Sequence, residues 1–575
     1  MCFMDSVNNE IAKIFSRIAD SLEILDENVF KINAYRKASR NISSMPDSLE
    51  EFDGEKELST IPGIGKDLSQ KIIEHRLTGK IAYYEEIKKQ VPDELAELLD
   101  IRGVGPKFLR TLVKHFGVAD IESLKETIAS PDILEVDGIG KKKIEQISRS
   151  VEVFEGGKKR MRLVKAHALA TEVKEKIEII PGVLRAELAG SLRRMRETVA
   201  NIDIIASADD GAGVIEKFTA LAFIKEVLGR TENSTRILTQ AGVRTDLLVV
   251  EPHCYGSALQ NLTGSPAHNA RIREIAAAKG LETDHMGIRN GNGYFVSEEE
   301  VYESLELGYI APELREDRGE IEAARAGELP ALIEIEDLRG DLHAHSTWSD
   351  GASTIRQMAD KAASLGYEYI AMTDHSPSSR IAKGLSTKRL WQKKEEVEKI
   401  NSEGGAVRVL MGSEVDILPD GSLDYPDEVL RELDFVVASV HSSFLMEEEE
   451  MTRRICGALE NPNVDALGHP TGRLIAQREP YKVDIDAVIE TARNHGKALE
   501  INSSYKRLDL KDTHARKAVE AGVKIIVSTD AHRTEHLERM IFGVGTARRG
   551  WVKKTDVVNT YGLSELLKWL ASHDS

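Results

Sequence analysis

Nine residues able to ligate a metal stand at or near the ends of apolar runs in the C-terminal half of this 575-residue sequence. RGDLHAHSTWSDG places His343 and His345 two apart, hence on one face of a strand, with Asp350 following. YIAMTDHS carries His375, VLMGSEVD carries Glu414, DFVVASVHSS carries His441 and VDALGHP carries His469. KIIVSTDAH ends on Asp530 and His532. A single strand-terminal histidine ordinarily caps a loop. Imidazoles and carboxylates in this number, opened by H-x-H and ended by D-x-H, suit two or three divalent cations, with carboxylates bridging and imidazoles completing each shell. A second stretch, GSLRRMRETVANID over residues 190–203, lacks something. Phosphoryl chemistry assisted by two cations calls for acidic residues two apart on a strand, and the pair here is Asn201 and Asp203.

Bringing the nine ligands to one mouth requires strands whose C-terminal ends converge. From residue 339 onward, strand-like runs alternate with helical stretches, which implies a mostly parallel sheet or barrel with its chemistry at those ends. Six apolar runs carry the ligands. Residues from about 155 to 250 are also α/β, with VLRAELAGS, NIDIIAS and VRTDLLVVEP as strands. Residues 298–338 are acidic and irregular, and 316–338 are expected to form a linker.

The first 154 residues are helical and repeat one pattern in LSTIPGIGKDLSQKIIE, LLDIRGVGPKFLRTLV and ILEVDGIGKKKIEQI. Each is an apolar helix end, a Gly-x-Gly turn and a new helix with a lysine in its first turn. The residues concerned are Gly63, Gly65 and Lys66, then Gly103, Gly105 and Lys107, then Gly138, Gly140 and Lys141. Glycine permits the tight turn, and the next helix N-terminus offers free N–H groups to a phosphate. A lysine there opposes the helix dipole, so it is expected to serve a ligand.

Composition sets wider bounds. The length exceeds one core and implies several domains. The formal charge of −19 argues against a nucleic-acid partner, yet the acid is unevenly spread: residues 341–450 hold 21 acidic against 11 basic residues, and residues 101–150 hold 7 against 9. Cys2, Cys254 and Cys456 are far apart and form no C-x-x-C pair, which fits a reducing cytoplasm and no cysteine-held zinc. The opening MCFMDSVNNE does not read as a signal peptide, and no apolar run is long enough to span a membrane.

The threefold Gly-x-Gly-Lys turn resembles the helix-hairpin-helix motif, a sequence-independent binder of DNA backbone. The ligand series from 339 to about 570 resembles the PHP domain, a distorted (β/α)7-type barrel phosphoesterase. That resemblance implies two or three Mn²⁺ or Zn²⁺ ions activating water against a phosphate ester, with Arg473 and Lys506 near the same loops as candidates to hold substrate phosphate. Residues 1 to about 315 resemble family X DNA polymerases, related to polymerase beta, on INAYRKAS, the helix-hairpin-helix turns, GSLRRMRETVANID and ALQNLTGSPAHNARIREIAAAKG. The whole is similar to the bacterial and archaeal family X polymerases that carry a C-terminal PHP domain and a 3′–5′ exonuclease.

The implied architecture is multidomain. It comprises a helical, lyase-like domain (1–80), fingers with two helix-hairpin-helix motifs (81–154), an α/β nucleotidyltransferase palm (155–250), a thumb (251–315), a linker (316–338) and a PHP barrel (339–575). The resemblance places Asn201, Asp203 and Asp246 around two Mg²⁺ or Mn²⁺ ions, and Ser191, Arg194, Gly264 and Ser265 around an incoming dNTP. It makes Lys71 a candidate Schiff-base lysine for 5′-deoxyribose phosphate removal, although Asp67 replaces a lysine expected nearby. Asn201 departs from the family's carboxylate, and Asn261-Leu262 depart from its Tyr-Phe sugar gate. The expectation is a DNA-binding monomer acting on gapped duplex or 3′ ends, with no membrane partner and a weakened polymerase. The alternatives are a nuclease that uses the polymerase fold as a DNA clamp, or a small-molecule PHP phosphatase.

Overall fold

A computed structural model describes residues 7–571 apart from 44, 46–48, 50–51, 53, 102, 137–138, 159 and 292. The chain divides into two compact units, residues 1–158 with 476–479, and residues 159–475 with 480–575. Among the described residues, no helix is long and apolar enough to cross a membrane.

The first unit is helical. Helices α1 (Val7–Ile24) and α2 (Val29–Ser43) bury Ile11, Phe15, Ile18, Ile32, Tyr35 and Ile42 in one core. The glycine turns precede α3 (Lys66–Thr78), α4 (Pro106–Phe116) and α5 (Lys141–Lys158). All three turns share one hydrogen bond, donated by the apolar residue between the glycines to the carbonyl three back: Ile64 to Ile61 at 3.0 Å, Val104 to Ile101 at 3.0 Å and Ile139 to Val136 at 3.1 Å. Those apolar residues are buried, and this pins each turn to its core. Gly63 and Gly103 have φ of +85° and +89°, a conformation that excludes a side chain at little cost only in glycine. Gly65 and Gly105 cap their helices, and the Gly140 carbonyl accepts from the N–H groups of Lys143 and Ile144. Lys66, Lys107 and Lys141 are exposed at the helix starts; Gly138 lies outside the described residues.

The second unit contains two sheets that carry candidate chemistry. A two-stranded ribbon pairs β1 (Met161–Arg162) with β3 (Thr198–Val199), and helix α6 (Leu163–Glu178) follows β1. The five-stranded palm sheet has the order β2 (Arg185–Leu188), β4 (Ile202–Ser207), β7 (Arg244–Val250), β6 (Ser234–Thr239), β5 (Ile224–Arg230). Strands β4 and β7 are parallel, in a register that sets Asp203 directly opposite Asp246.

In the thumb, α7 (Pro266–Ala278), the hairpin strands β8 (Glu282–Asp284), β9 (Gly287–Asn290) and β10 (Gly293–Tyr294), α8 (Glu298–Ser304) and α9 (Glu320–Ala326) surround an apolar core of Ile272, Val301, Tyr302 and Ile321. The stretch expected to be a linker is therefore partly helix α9. Its Glu320 is fully buried against His268 Nδ1 at 2.7 Å, so the acid there pairs inside the fold instead of facing water.

The third domain of this unit is a parallel sheet of seven consecutive strands, β11 (Gly340–Ala344), β12 (Tyr369–Met372), β13 (Arg408–Asp416), β14 (Phe435–Ser439), β15 (Ala466–Leu467), β16 (Ala498–Asn502) and β17 (Ile525–Ser528). A parallel bridge between Ala344 and Ala531 brings the end of the sheet back to its start, giving a nearly closed barrel. Helices between the strands, such as α10 (Ile355–Ser364) and the final-strand helix α11 (Met540–Arg549), turn apolar faces to the sheet. The six ligand-bearing runs account for every strand of this sheet except β16.

Buried charge ties the thumb to the palm. Glu298 accepts from both Nη atoms of Arg193, at 2.9 and 2.7 Å, and pairs closely with the fully buried Arg315. Removing a buried counter-charge costs about 3–5 kcal/mol because the cation left behind is unpaired. Glu298→Ala is thus expected to lower the thermal midpoint of the second unit in calorimetry, whereas an unchanged midpoint would show the two arginines to be compensated elsewhere.

Candidate metal centre and palm

The nine predicted ligands lie together at the C-terminal mouth of the barrel. The seam is stitched by backbone bonds, His345 N–H to the Ala531 carbonyl at 2.8 Å and Ala352 N–H to the His532 carbonyl at 2.6 Å, so the H-x-H and D-x-H pairs face each other. Three overlapping sets hold ligand atoms within 4.8 Å of one another: His345, Asp350, His375 and His532; His343, His345 and Asp530; and His375, Glu414 and His441. Glu414 is central. Its carboxylate lies 2.8 Å from His469, 3.0 Å from His375, 3.2 Å from His441, 3.5 Å from His343 and 3.6 Å from His345. Burial alone would raise its pKa, but the imidazoles of His441, His375 and His343 outweigh that and hold it well below the ordinary range. Burial, then His532 and His375, push His345 down to about 4, which leaves it a neutral donor.

The donor set fits divalent cations. Buried ring nitrogens of His343 (Nε2), His345 (both), His375 (Nδ1) and His469 (Nδ1) make no well-formed hydrogen bond, although His375 Nδ1 stands 3.0 Å from Glu414 and His345 Nε2 3.2 Å from Asp530, and buried nitrogens left so in such number are otherwise costly. Other ring nitrogens are oriented by carboxylates. His343 Nδ1 meets Glu500 at 2.7 Å, and His441 Nδ1 is held by Asp416 in a short contact. His469 and Asp530 have φ of +27° and +52°, strained values of the kind found at functional sites.

In the palm, Asn201 directly precedes β4, and its Nδ2 donates to Asp203 at 2.6 Å and to Asp246 at 3.0 Å. Arg236, opposite Asp246 on β6, donates to it at 2.8 Å. Burial first, then the charge of Asp246, raise Asp203 to about 6. Gly190 has φ of +61°, and a Cβ there would stand 2.1 Å from Asp203 Oδ2, so only glycine lets the GSLRR turn approach the carboxylate. The amide's nitrogen edge fills the space between the two acids. A cation entering between the acids would have to displace these two hydrogen bonds.

Sequence comparison bears on what these sites do. Residues 6–81 match the Helix-hairpin-helix domain, 84–151 the SAM-like Helix-hairpin-helix tandem, 258–316 the DNA polymerase beta thumb and 341–504 the PHP domain. The chain is 39% identical over 573 residues to the DNA polymerase/3′-5′ exonuclease PolX of Bacillus subtilis, covering 98% of this chain and 99% of that one. It belongs to the PolX family. A probable phosphatase of Thermoanaerobacter sp. is 35% identical over 235 residues, 38% of this chain and 89% of its own length. Another, from Acetivibrio thermocellus, is 34% identical over 201 residues, 33% of this chain and 78% of its own. The helix-hairpin-helix and thumb matches imply that this PolX protein binds DNA.

Several residues expected to hold the nucleotide of a PolX palm are engaged internally. Arg194 is buried, donates to the Thr263 carbonyl at 2.7 Å and pairs with Glu316 at 3.0 Å. Ser265 caps α7 by accepting from His268 N–H at 3.1 Å, and a Cβ on Gly264 would strike Asn269. Ser191 is partly exposed on the one-turn helix Gly190–Arg193. In the first unit, the Lys71 amine is paired with Asp67 at 2.6 Å, an arrangement that engages the group a Schiff base needs free.

At the barrel mouth, Arg473 is spent on backbone carbonyls and Glu197, and Lys506 is exposed. Arg507, which sequence reasoning passed over, lies instead beside the centre. Its Nε is 3.7 Å from Asp530, and its buried Nη1 has no hydrogen-bond partner. Glu500 was passed over too. It accepts from His343, from the His469 N–H at 2.5 Å, from Asn502 at 3.1 Å and from Ser528, so one carboxylate sets two predicted ligands. Carboxylates in this position typically contribute about tenfold or more in metal affinity. Glu500→Gln is expected to weaken Mn²⁺ binding by about that factor in a titration, while His343→Ala with His345→Ala is expected to remove bound Mn²⁺ and leave DNA binding intact.

Proposed function

We propose that this chain processes DNA 3′ ends, with hydrolysis of the terminal phosphodiester at the barrel mouth as its main activity and nucleotide addition at the palm as a slow one. The convergence of His343, His345, Asp350, His375, Glu414, His441, His469, Asp530 and His532 carries this reading. When bound, two or three Mn²⁺ or Zn²⁺ ions would polarise the phosphoryl oxygens and make water more acidic. The chain's own residues do the rest. Glu500 and Asp416 orient imidazoles, and the Arg507 guanidinium beside Asp530 would take a non-bridging phosphate oxygen. Water adds to phosphorus, the bond from phosphorus to the preceding sugar's 3′ oxygen breaks, and that oxygen takes up a proton. The products are a nucleoside 5′-monophosphate and a strand one residue shorter.

The palm differs in its charge. A family site has three carboxylates; here Asp203 and Asp246 face an amide and Arg236. Any Mg²⁺ or Mn²⁺ bound there meets less negative charge and must displace Asn201's hydrogen bonds. Such a loss costs about a hundredfold in rate if it removes roughly 3 kcal/mol of transition-state stabilisation. A clamp role for the palm is favoured by the same contacts. The helix-hairpin-helix lysines Lys66, Lys107 and Lys141, exposed at helix starts, support phosphate-backbone binding over a small-molecule substrate.

The deciding assay uses a 5′-labelled primer on a one-nucleotide-gapped template with Mn²⁺, with and without dNTPs. Shortening that disappears in the His343→Ala, His345→Ala protein is the expected result, and shortening that persists would defeat the assignment of the centre. Extension is expected to be faint in the native chain and to rise by about tenfold or more in Asn201→Asp.

A further inference from the structure

The loop that follows His469 is held from two sides. Inside the barrel, Arg473 donates from Nε to the Arg507 carbonyl at 3.0 Å and from Nη2 to that of Leu508 in a short contact. Ile475 N–H donates to the Lys506 carbonyl at 2.7 Å, and Thr471 bonds Asp509 through its N–H at 3.0 Å and its hydroxyl at 2.9 Å. The second support comes from the palm. Arg162 Nε donates to the Ile475 carbonyl at 3.0 Å, and the Glu197 carboxylate lies 2.8 Å from Arg473 Nη2. Both palm residues belong to the β1–β3 ribbon or its edge. Arg162 pairs with Thr198, and the Glu197 carbonyl accepts from Leu163 N–H at 2.9 Å.

The electrostatics make the palm's part more than packing. The Arg473 side chain is only 9% exposed; within the barrel it donates to carbonyls, and the buried Asp509 carboxylate stands near enough to feel its charge. A cation buried with carbonyls and one carboxylate that also serves Thr471 is only partly compensated, the more so with the Arg507 guanidinium on the segment it holds. Glu197, 42% exposed on its side chain, adds a direct ion pair from another domain at 2.8 Å. Arg473 in turn fixes the backbone of residues 507–508, and with it the guanidinium beside Asp530.

We propose that Glu197 and Arg473 are positioning residues for phosphodiester hydrolysis, so that the palm ribbon sets the geometry of Arg507 at the metal centre. This rests on reading the barrel mouth as hydrolytic. It makes the polymerase half a structural part of the nuclease site, beyond any role in holding DNA.

The test uses the full chain with Mn²⁺ and bis(4-nitrophenyl) phosphate, a diester too small to need a DNA-binding surface. Glu197→Ala is expected to lower kcat about tenfold, within the range that small misplacements of a reacting group produce. Mn²⁺ content and thermal midpoint should match the native chain, and Glu197→Asp should recover most of the rate. Glu226→Ala, which removes an exposed carboxylate on β5, should leave the rate unchanged. A Glu197→Ala rate within about twofold of native overturns the inference, because a misplaced guanidinium would cost more. A loss that tracks lost Mn²⁺ overturns it as well, since the effect would then run through the ligands. A native chain with Mn²⁺ bound but inactive on the diester overturns the hydrolytic reading itself, and this inference with it.

Discussion

The buried carboxylate of Glu414 sets the terms for the barrel. It is 1% exposed and surrounded by five imidazoles, a position in which a lone charge would be driven to protonate. It stays ionised because the imidazoles converge on it, and they converge because each stands at or near the C-terminal end of a strand in the same parallel sheet. The seam bridge between Ala344 and Ala531 completes the ring by bringing the last ligand pair onto the first. Any change in strand order or register would separate the carboxylates from the imidazoles and leave both uncompensated. The apolar outer faces supply stability, but the polar mouth dictates which closure of the sheet is tolerable.

The same logic runs through the joints between domains. Arg549 of α11 donates to the Arg194 carbonyl at 2.7 Å, to Glu316 at 2.9 Å and to Asp512 at 2.8 Å, while Glu316 also holds the Arg194 side chain. Met195 lies against Gly545 so closely that a Cβ there would be 2.8 Å from it. The palm turn from Gly190 to Glu197 is therefore clasped on one side by the thumb's Glu298 and Glu316 and on another by the barrel. These are paired charges with little exposure, which specify a geometry more than they add stability. A turn held in this way is organised by its protein partners alone.

Sequence reasoning recovers what depends on residue type at short range. The H-x-H and D-x-H pairs, the strand-ending His375 and His441, and the Gly-x-Gly turns are visible because two to five neighbouring residues define them. What it misses is defined by distant partners. Glu500 reads as one acid within an apolar run, and only the fold shows that His343, 157 residues away, is its partner. Arg194 is separated from Glu316 by 122 residues, so its burial has no local sign. The acidic stretch around Glu320 looks solvated for the same reason, since His268 lies 52 residues upstream. Strand β16 escapes because its ending, Glu500 and Asn502, supplies supporting groups and not one of the expected ligands.

The two candidate centres meet one electrostatic problem in opposite ways. In the barrel, the acidic ligands are outnumbered by imidazoles, several of whose buried ring nitrogens make no well-formed hydrogen bond. In the palm, two acids already receive N–H donors from Asn201 and, at Asp246, from Arg236. A cation entering the barrel satisfies atoms that are otherwise idle, whereas one entering the palm must first undo hydrogen bonds and then compete with an arginine. The difference follows from a single amide and the guanidiniums of Arg236 and Arg244 on a strand pair that keeps Asp203 and Asp246 in direct register. A fold can thus keep the register of two facing carboxylates while the donors around them change what a cation would meet.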